Sequence, residues 1–288
     1  MFRGVIVALV TPFRGGEVDF QKLDELVEFH VGQGTDGIVP VGTTGESATL
    51  SHDEHDAVVE RVVKAARRRV PVIAGAGSNC TAEAVRLTRH AKEAGADGAL
   101  HVVPYYNKPS QEGLFRHFEA VAREGLPVVL YNIPGRTGVD MTAQTVERLS
   151  KVPGIVGIKE AAGSLDRVSE LKQLCPGLVV LSGDDSLTLP MLAVGAEGAI
   201  SVVANLVPRD VKDMAARFFR GDAAGARKRH LDLLPLTKAL FLETNPVPVK
   251  TAMAMRGTIS EEVRLPLAPM AEANRQALRK AMAAYGLL

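Results

Sequence analysis

The sequence predicts an α/β chain folded as a (β/α)8 barrel, the TIM-barrel architecture, with a C-terminal helical extension. Three observations carry that expectation. Short β-branched runs alternate about eight times with longer segments of helical period, one Gly-x-acid-Gly loop recurs where helices give way to strands, and the strand signals stop after Phe219. The chain has 288 residues, 46% of them hydrophobic, which suffices for one large α/β domain or two ordinary ones.

Strands are expected near residues 5–10, 37–41, 70–75, 98–104, 127–132, 155–160, 178–182 and 198–203, where Val and Ile pack better on a pleated surface than on a helix. Helical periodicity fills the gaps at 20–32, 53–67, 82–94, 111–123, 142–150, 165–174, 187–194 and 209–219. Between them Gly34-Thr-Asp-Gly-Ile, Gly95-Ala-Asp-Gly-Ala and Gly195-Ala-Glu-Gly-Ala repeat one chemistry. The first glycine of each suits a left-handed helix cap and the second a tight start to the next strand. Open doubly wound sheets use similar loops, so the loops select the α/β class while the count of eight selects the barrel. No Gly-x-Gly-x-x-Gly sits at the first strand-helix turn to favour a dinucleotide fold. Residues 1–220 are expected to form the barrel. Residues 221–288, rich in Ala, Leu, Arg and Met, read as about three helices interrupted by Asn245-Pro246-Val247-Pro248 and packed on it, since no Gly/Ser-rich linker intervenes.

Composition excludes several functions. A formal charge of +1 and short basic clusters, Arg67-Arg68-Arg69 and Arg227-Lys228-Arg229-His230, give no nucleic-acid surface. No apolar run approaches the roughly 18 residues of a membrane span, and the opening Val5–Pro12 stretch is too brief and β-branched for a signal peptide. Cys80 and Cys175 lack metal-ligand spacing, so no metal is expected and a reduced cytoplasmic setting is the default.

Lys159 stands in the apolar segment Gly154-Ile-Val-Gly-Ile-Lys-Glu-Ala161, where a solvated lysine is out of place. On a strand, Gly157 and Lys159 share one side and Glu160 points to the other, which makes Glu160 a poor ion-pair partner. If that side is a crowded interior, Gly157 leaves room to approach the amine. Burial disfavours the ammonium, and a neutral lysine is a Schiff-base nucleophile. A lysine at a strand end otherwise reaches water. Other polar groups fall at the same strand ends: Thr43 and Thr44 after strand two, Tyr105 and Tyr106 after strand four, Tyr131 ending strand five, and Gly183-Asp184-Asp185 ending strand seven. Gly42 and Gly45 would let Thr43 and Thr44 form an anion nest. Tyr131 could pass protons, and Arg136, in a tight loop, could grip a carboxylate bidentately. Packing tyrosines and loop-capping arginines are the ordinary alternatives.

Five motifs in order, Gly42-Thr-Thr-Gly-Glu46, Tyr105-Tyr-Asn107, Tyr131-Asn-Ile-Pro-Gly-Arg-Thr-Gly138, Gly157-Ile-Lys-Glu-Ala161 and Asn245-Pro-Val-Pro-Val-Lys250, resemble the dihydrodipicolinate synthases. These enzymes are now called 4-hydroxy-tetrahydrodipicolinate synthases and lie within the N-acetylneuraminate lyase superfamily. The resemblance implies a cofactor-free Schiff-base aldolase that joins pyruvate to L-aspartate 4-semialdehyde in diaminopimelate and L-lysine biosynthesis, as a homotetramer built from a dimer of dimers. It implies that Lys159 forms the imine, Thr44 holds the pyruvate carboxylate, and Thr43, Tyr131 and Tyr106 relay protons, with Tyr106 reaching into a neighbouring subunit. Arg136 would bind the semialdehyde carboxylate, while the Gly183 and Ile200 backbones shape the pocket. Gly135 and Lys108 stand where some relatives carry serine and arginine.

The resemblance also implies inhibition by L-lysine at Ser47, Ala48, His52, His55, Asn79, Glu83 and Tyr105, with Glu83 and Asn79 meeting the amino group and Tyr105 the carboxylate. Independently, Ser51-His-Asp-Glu54 reads as a capping box that sets His52 and His55 about one turn apart; exposed helix histidines are the plainer reading. Two other functions compete. A sugar-acid lyase would share Lys159, Tyr131 and the threonine turn but generally lacks an arginine in the Arg136 loop. A pyruvate-binding or assembly module would not need nucleophile, relay and clamp together.

Overall fold

The computed structural model describes residues 2–288. In chain order the elements begin with β1 (Gly4–Ala8), β2 (Phe13–Arg14), β3 (Glu17–Val18), α1 (Phe20–Gly32), β4 (Gly37–Val39), α2 (His52–Ala66), β5 (Ile73–Gly75), α3 (Thr81–Glu93), β6 (Gly98–Val102) and α4 (Gln111–Ala122). They continue with β7 (Val128–Asn132), α5 (Pro134–Thr137), α6 (Ala143–Ser150), β8 (Ile155–Glu160), α7 (Leu165–Leu174), β9 (Val179–Ser182), α8 (Thr188–Ala193), β10 (Gly198–Ser201) and α9 (Pro208–Phe219). Three helices close the chain: α10 (Ala223–Ala239), α11 (Val247–Met255) and α12 (Glu272–Tyr285).

Eight parallel strands lie in the order β4-β1-β10-β9-β8-β7-β6-β5. The open edges meet through the parallel bridge Ile38↔Val72, with Ile38 N donating to Pro71 O at 2.9 Å and Gly75 N to Pro40 O at 3.0 Å. The sheet is therefore a TIM barrel rather than an open doubly wound sheet. Strand alternation sorts its side chains into two layers. Phe2, Ile6, Val39, Ile73, Val129, Tyr131, Leu181 and Ile200 fill the interior, while Val5, Val7, Val128, Leu130, Ile158 and Val180 pack outward against the helices.

All eight expected strands and all eight expected helices are present, with ends displaced by at most a few residues. Gly34, Gly95 and Gly195 have φ of 75°, 88° and 105°, the left-handed geometry expected where a helix turns into a strand. Polar caps fix the helix starts: Asp19 accepts from Lys22 N, and Ser51 and Glu54 form the reciprocal box at α2. Two elements were not anticipated. Gly15 and Gly16, at φ 61° and 84°, turn β2 back onto β3 as a hairpin. The loop expected around Arg136 winds one helical turn, α5, begun by Pro134 and closed by Gly138 at φ 73°.

The three C-terminal helices bind back to the early chain. Lys250 Nζ lies 2.5 Å from Glu46 Oε1, and both side chains are fully buried. Arg264 donates to Thr49 O, Gly16 O and Glu54, and its own backbone N–H reaches Glu46 Oε2 at 3.1 Å. Phe13, from the hairpin, presents its ring to both cations, with centroids 4.2 Å from Lys250 Nζ and 4.4 Å from the Arg264 guanidinium.

Candidate active site

Lys159 lies beside Tyr131 and Leu181 in the register of β8 with β7 and β9, and all three side chains point inward. Its amine sits 4.1 Å from the centroid of the Tyr131 ring, an aromatic contact in place of an ion pair. Burial lowers the Lys159 pKa from 10.5 to about 8; the Asp185 carboxylate works against this shift and the Arg136 guanidinium adds to it. Glu160 faces the opposite layer, where it accepts from Asn132 Nδ2 at 3.1 Å and pairs with Arg167 at 3.3 Å. The two neighbouring charged residues therefore belong to separate networks.

Space around the amine comes from a different glycine than the sequence suggested. A Cβ on Gly157 would stand 3.0 Å from Val179 O, so that glycine admits the neighbouring strand's backbone rather than a ligand. A Cβ on Gly183 would stand 3.0 Å from Lys159 Cε and 3.1 Å from Cγ, which makes Gly183 the residue that clears the lysine's path. The strand also carries a bulge: Val128 pairs with Ile155 but Val129 with Gly157, and the extra residue resets which side chains point inward.

Tyr131 is buried, and burial pushes its phenol up to about 12, opposed by the Arg136 charge and by a hydrogen bond with the Thr43 side chain. Thr43 and Thr44 lie in a compact turn in which Gly45 N donates to Gly42 O at 3.0 Å and Glu46 N to Thr43 O at 3.1 Å. The left-handed residues of this turn are Val41 (φ 47°) and Glu46 (φ 55°), not the glycines expected to open a nest. Gly45 is required for space instead, because a Cβ there would lie 2.9 Å from Val41 Cα. Thr44 is buried, and its Oγ1 accepts from Asn245 Nδ2 at 2.9 Å.

Arg136 projects from α5 at the exposed rim, and its Nη2 donates to Asn245 O at 3.0 Å. Ile200 is buried inside the barrel. Lys159, Tyr131, Thr43, Thr44, Gly183, Arg136 and Ile200 are thus gathered at or just inside the C-terminal mouth of the barrel. Tyr106 is not. It is 89% exposed, on a backbone with φ 70°.

Two residues of this mouth were given no role by the sequence. Asp185 is half-buried, held by Ser201 Oγ and the backbone N–H groups of Val202 and Val203, and acts electrostatically on Lys159. Burial raises its own pKa against those three donors. Its place in Gly183-Asp184-Asp185 was a usable signal. Asn245, the other, stood in the Asn245–Lys250 motif, but its partner Thr44 lies 201 residues away in sequence.

A second cluster lies outside the barrel between α2 and α3. His52 Nε2 is 2.6 Å from Glu83 Oε1, and Ser78 Oγ donates to Glu83 Oε2. Asn79 Nδ2 donates to Tyr105 O at 3.2 Å, and Ser47 and Ala48 form the short turn before α2. The Ser78 bond, followed by His52, lowers the Glu83 pKa, and burial opposes them. His55, one turn after His52, is buried instead of exposed, with Nε2 2.8 Å from Gly75 O and its pKa lowered by burial. Among the described residues no group of three or more His, Cys, Asp or Glu is placed to hold a metal, and no helix is long and apolar enough to cross a membrane.

This geometry has counterparts in known proteins. A protein of Geotalea uraniireducens (strain Rf4) named 4-hydroxy-tetrahydrodipicolinate synthase is 58% identical, with each chain covered in full. A crystal structure of dihydrodipicolinate synthase from Acinetobacter baumannii, complexed with pyruvate, superposes with a TM-score of 0.98 at 46% identity over the whole of both chains. One from Cyanidioschyzon merolae with lysine bound gives 0.97 at 42% identity, covering 100% of this chain and 99% of that one. The model of the Dihydrodipicolinate synthetase family matches residues 1–285, and the chain belongs to that family.

Proposed function

We propose that this chain condenses pyruvate with L-aspartate 4-semialdehyde through a Schiff base on Lys159, the aldolase-type lyase activity of a 4-hydroxy-tetrahydrodipicolinate synthase in diaminopimelate and L-lysine biosynthesis. The observation that carries the reading is a lysine buried inside the barrel with its amine 4.1 Å from the Tyr131 ring, where burial lowers its pKa. The neutral amine adds to the pyruvate ketone, and the carbinolamine loses water to give the imine. The protonated imine withdraws electrons from the adjacent methyl group, so a proton leaves and the enamine attacks the aldehyde carbon. The amino group of the condensed chain then displaces Lys159 from the imine carbon and closes the ring. No metal or organic cofactor is needed, because the iminium itself is the electron sink.

Tyr131, with a phenol that stays protonated near neutrality, and Thr43 carry protons in these steps, completed by Tyr106 of a neighbouring subunit. Support for the shared site is the exposed, left-handed placement of Tyr106. Thr44 holds the pyruvate carboxylate, Arg136 holds that of the semialdehyde, and the backbones of Gly183 and Ile200 line the pocket. The assembly is a cytoplasmic homotetramer, a dimer of dimers. Residues 1–220 act as the catalytic barrel, and 221–288 as an extension tied to it by Lys250 and by Arg256, which donates to Leu206 O at 3.2 Å.

L-lysine inhibits at the outer cluster of Ser47, Ala48, His52, His55, Asn79, Glu83 and Tyr105. The Glu83 carboxylate suits an ammonium group, and a relative was crystallised with lysine bound. His55, turned inward to Gly75 O, supports this cluster rather than touching the ligand.

A coupled assay with both substrates, run beside N-acetylneuraminate cleavage, tests the activity. Pyruvate followed by borohydride should add mass at Lys159, and label on Lys108, Lys238 or Lys250 would refute the assignment. Millimolar L-lysine should slow the wild type and spare Glu83→Thr; equal rates would remove the regulatory role.

A further inference from the structure

We propose that the Asn245 side chain is a positioning residue for pyruvate, acting through Thr44. The inference rests on the assignment of Thr44 to the pyruvate carboxylate. A threonine hydroxyl has one hydrogen and two lone pairs, and it rotates to suit its neighbours. Left alone, Thr44 could present either hydrogen or lone pair to the barrel mouth. Asn245 Nδ2 removes that freedom by donating to Oγ1 at 2.9 Å, with both side chains buried. A lone pair is thereby occupied, and the hydroxyl hydrogen is turned toward another acceptor. An anion arriving there meets a donor already oriented for it, so little ordering remains to be done at binding.

The arrangement is costly to maintain, which argues against simple packing. Asn245 Oδ1 is buried without a hydrogen-bond partner among the described residues, so the side chain carries an unsatisfied acceptor while its donor is held on Thr44. The same residue's main-chain oxygen accepts from Arg136 Nη2 at 3.0 Å. Asn245 is therefore shared by the two carboxylate grips, its side chain serving one and its backbone the other. That division makes the proposal separable by mutation, because replacing the side chain leaves the carbonyl that holds Arg136.

The test is a kinetic cycle on the full-length protein with Thr44→Val, Asn245→Ala, their combination, and Asn245→Asp. Pyruvate KM, semialdehyde KM, kcat and the melting temperature are measured for each. Asn245→Ala should raise pyruvate KM about five- to tenfold, the scale of one neutral hydrogen bond, leave semialdehyde KM within about twofold, and add nothing further on the Thr44→Val background. Asn245→Asp, close in shape but with an acceptor in place of the donor, should raise pyruvate KM more, since it captures the Thr44 hydrogen and repels the incoming anion. It also carries the test alone if Asn245→Ala does not fold. If Thr44→Val leaves pyruvate KM unchanged, the assignment of Thr44 fails and the proposal falls with it. If Thr44→Val raises it while the Asn245 variants do not, or while their effects multiply independently, only the role of Asn245 is overturned. A lower melting temperature with both KM values moved in step would reduce Asn245 to a structural residue.

Discussion

Replacing Lys159 should make the protein more stable. Lys159 is held at a pKa near 8 where free lysine stands at 10.5, so folding disfavours its ammonium by roughly 3 kcal/mol. The figure already includes the attraction of Asp185. Lys159→Met keeps most of the volume inside the barrel and removes the charge, and the gain is present only where the unfolded wild-type lysine would be charged. Below about pH 8 the difference should be complete; it should shrink as pH rises toward 10.5, because the unfolded lysine then loses its proton as well. At roughly 2 °C per kcal/mol for a chain of this size, the variant should melt about 6 °C higher at pH 7. Scanning calorimetry of both proteins at pH 7 and pH 10, with borohydride trapping to verify loss of the imine, makes the measurement. A variant that melts at or below the wild type at pH 7, by a margin unchanged at pH 10, would refute the reasoning. The wild-type amine should also be neutral in about one molecule in eleven at pH 7, against about one in three thousand for an unperturbed lysine, so the trapping rate should climb with pH and level off above 8.

Tyr131→Phe and Thr43→Val should each lower kcat by about 10²-fold or more with the melting temperature nearly unchanged; full turnover in either would remove it from the relay. Arg136→Ala should raise semialdehyde KM while sparing the pyruvate trapping rate, and the reverse pattern would exchange its role with that of Thr44. Lys250→Met should destabilise by about 3–5 kcal/mol in urea titrations, since it strands a fully buried Glu46 carboxylate. Combining it with Glu46→Gln should recover most of that loss, and failure to do so would mean that the pair matters for packing rather than charge.

What the sequence disclosed follows the range of the interactions involved. Lys159, Gly157 and Glu160 were sorted to their faces correctly because alternation on a strand needs no knowledge of partners. The capping box at Ser51 and the turns at Gly34, Gly95 and Gly195 were equally local. The Gly15-Gly16 hairpin was legible in principle, and its two-residue strands were too short to stand out. The purpose of Gly157, Gly183 and Gly45 was hidden, because each is glycine on account of atoms that another segment brings close. His55 turned inward for a similar reason: its partner, Gly75 O, lies on the adjacent strand. Asn245 with Thr44, and Lys250 with Glu46, join positions about two hundred residues apart, and the two motifs that hold them gave no sign that they meet.

The Lys250–Glu46 contact also sets an order of events during synthesis. Glu46 follows the threonine turn near the start of the chain, and its cation is made 204 residues later. At a translation rate of about 5–20 residues per second, that interval is roughly 10–40 s. Until then the threonine turn has neither its buried counter-charge nor the Asn245 amide, although the first strands and helices that frame it have already left the ribosome. The mouth of the barrel is therefore among the last parts to take its final form. A nascent chain arrested before residue 250 would leave the Glu46 carboxylate without the buried cation that the finished protein sets against it.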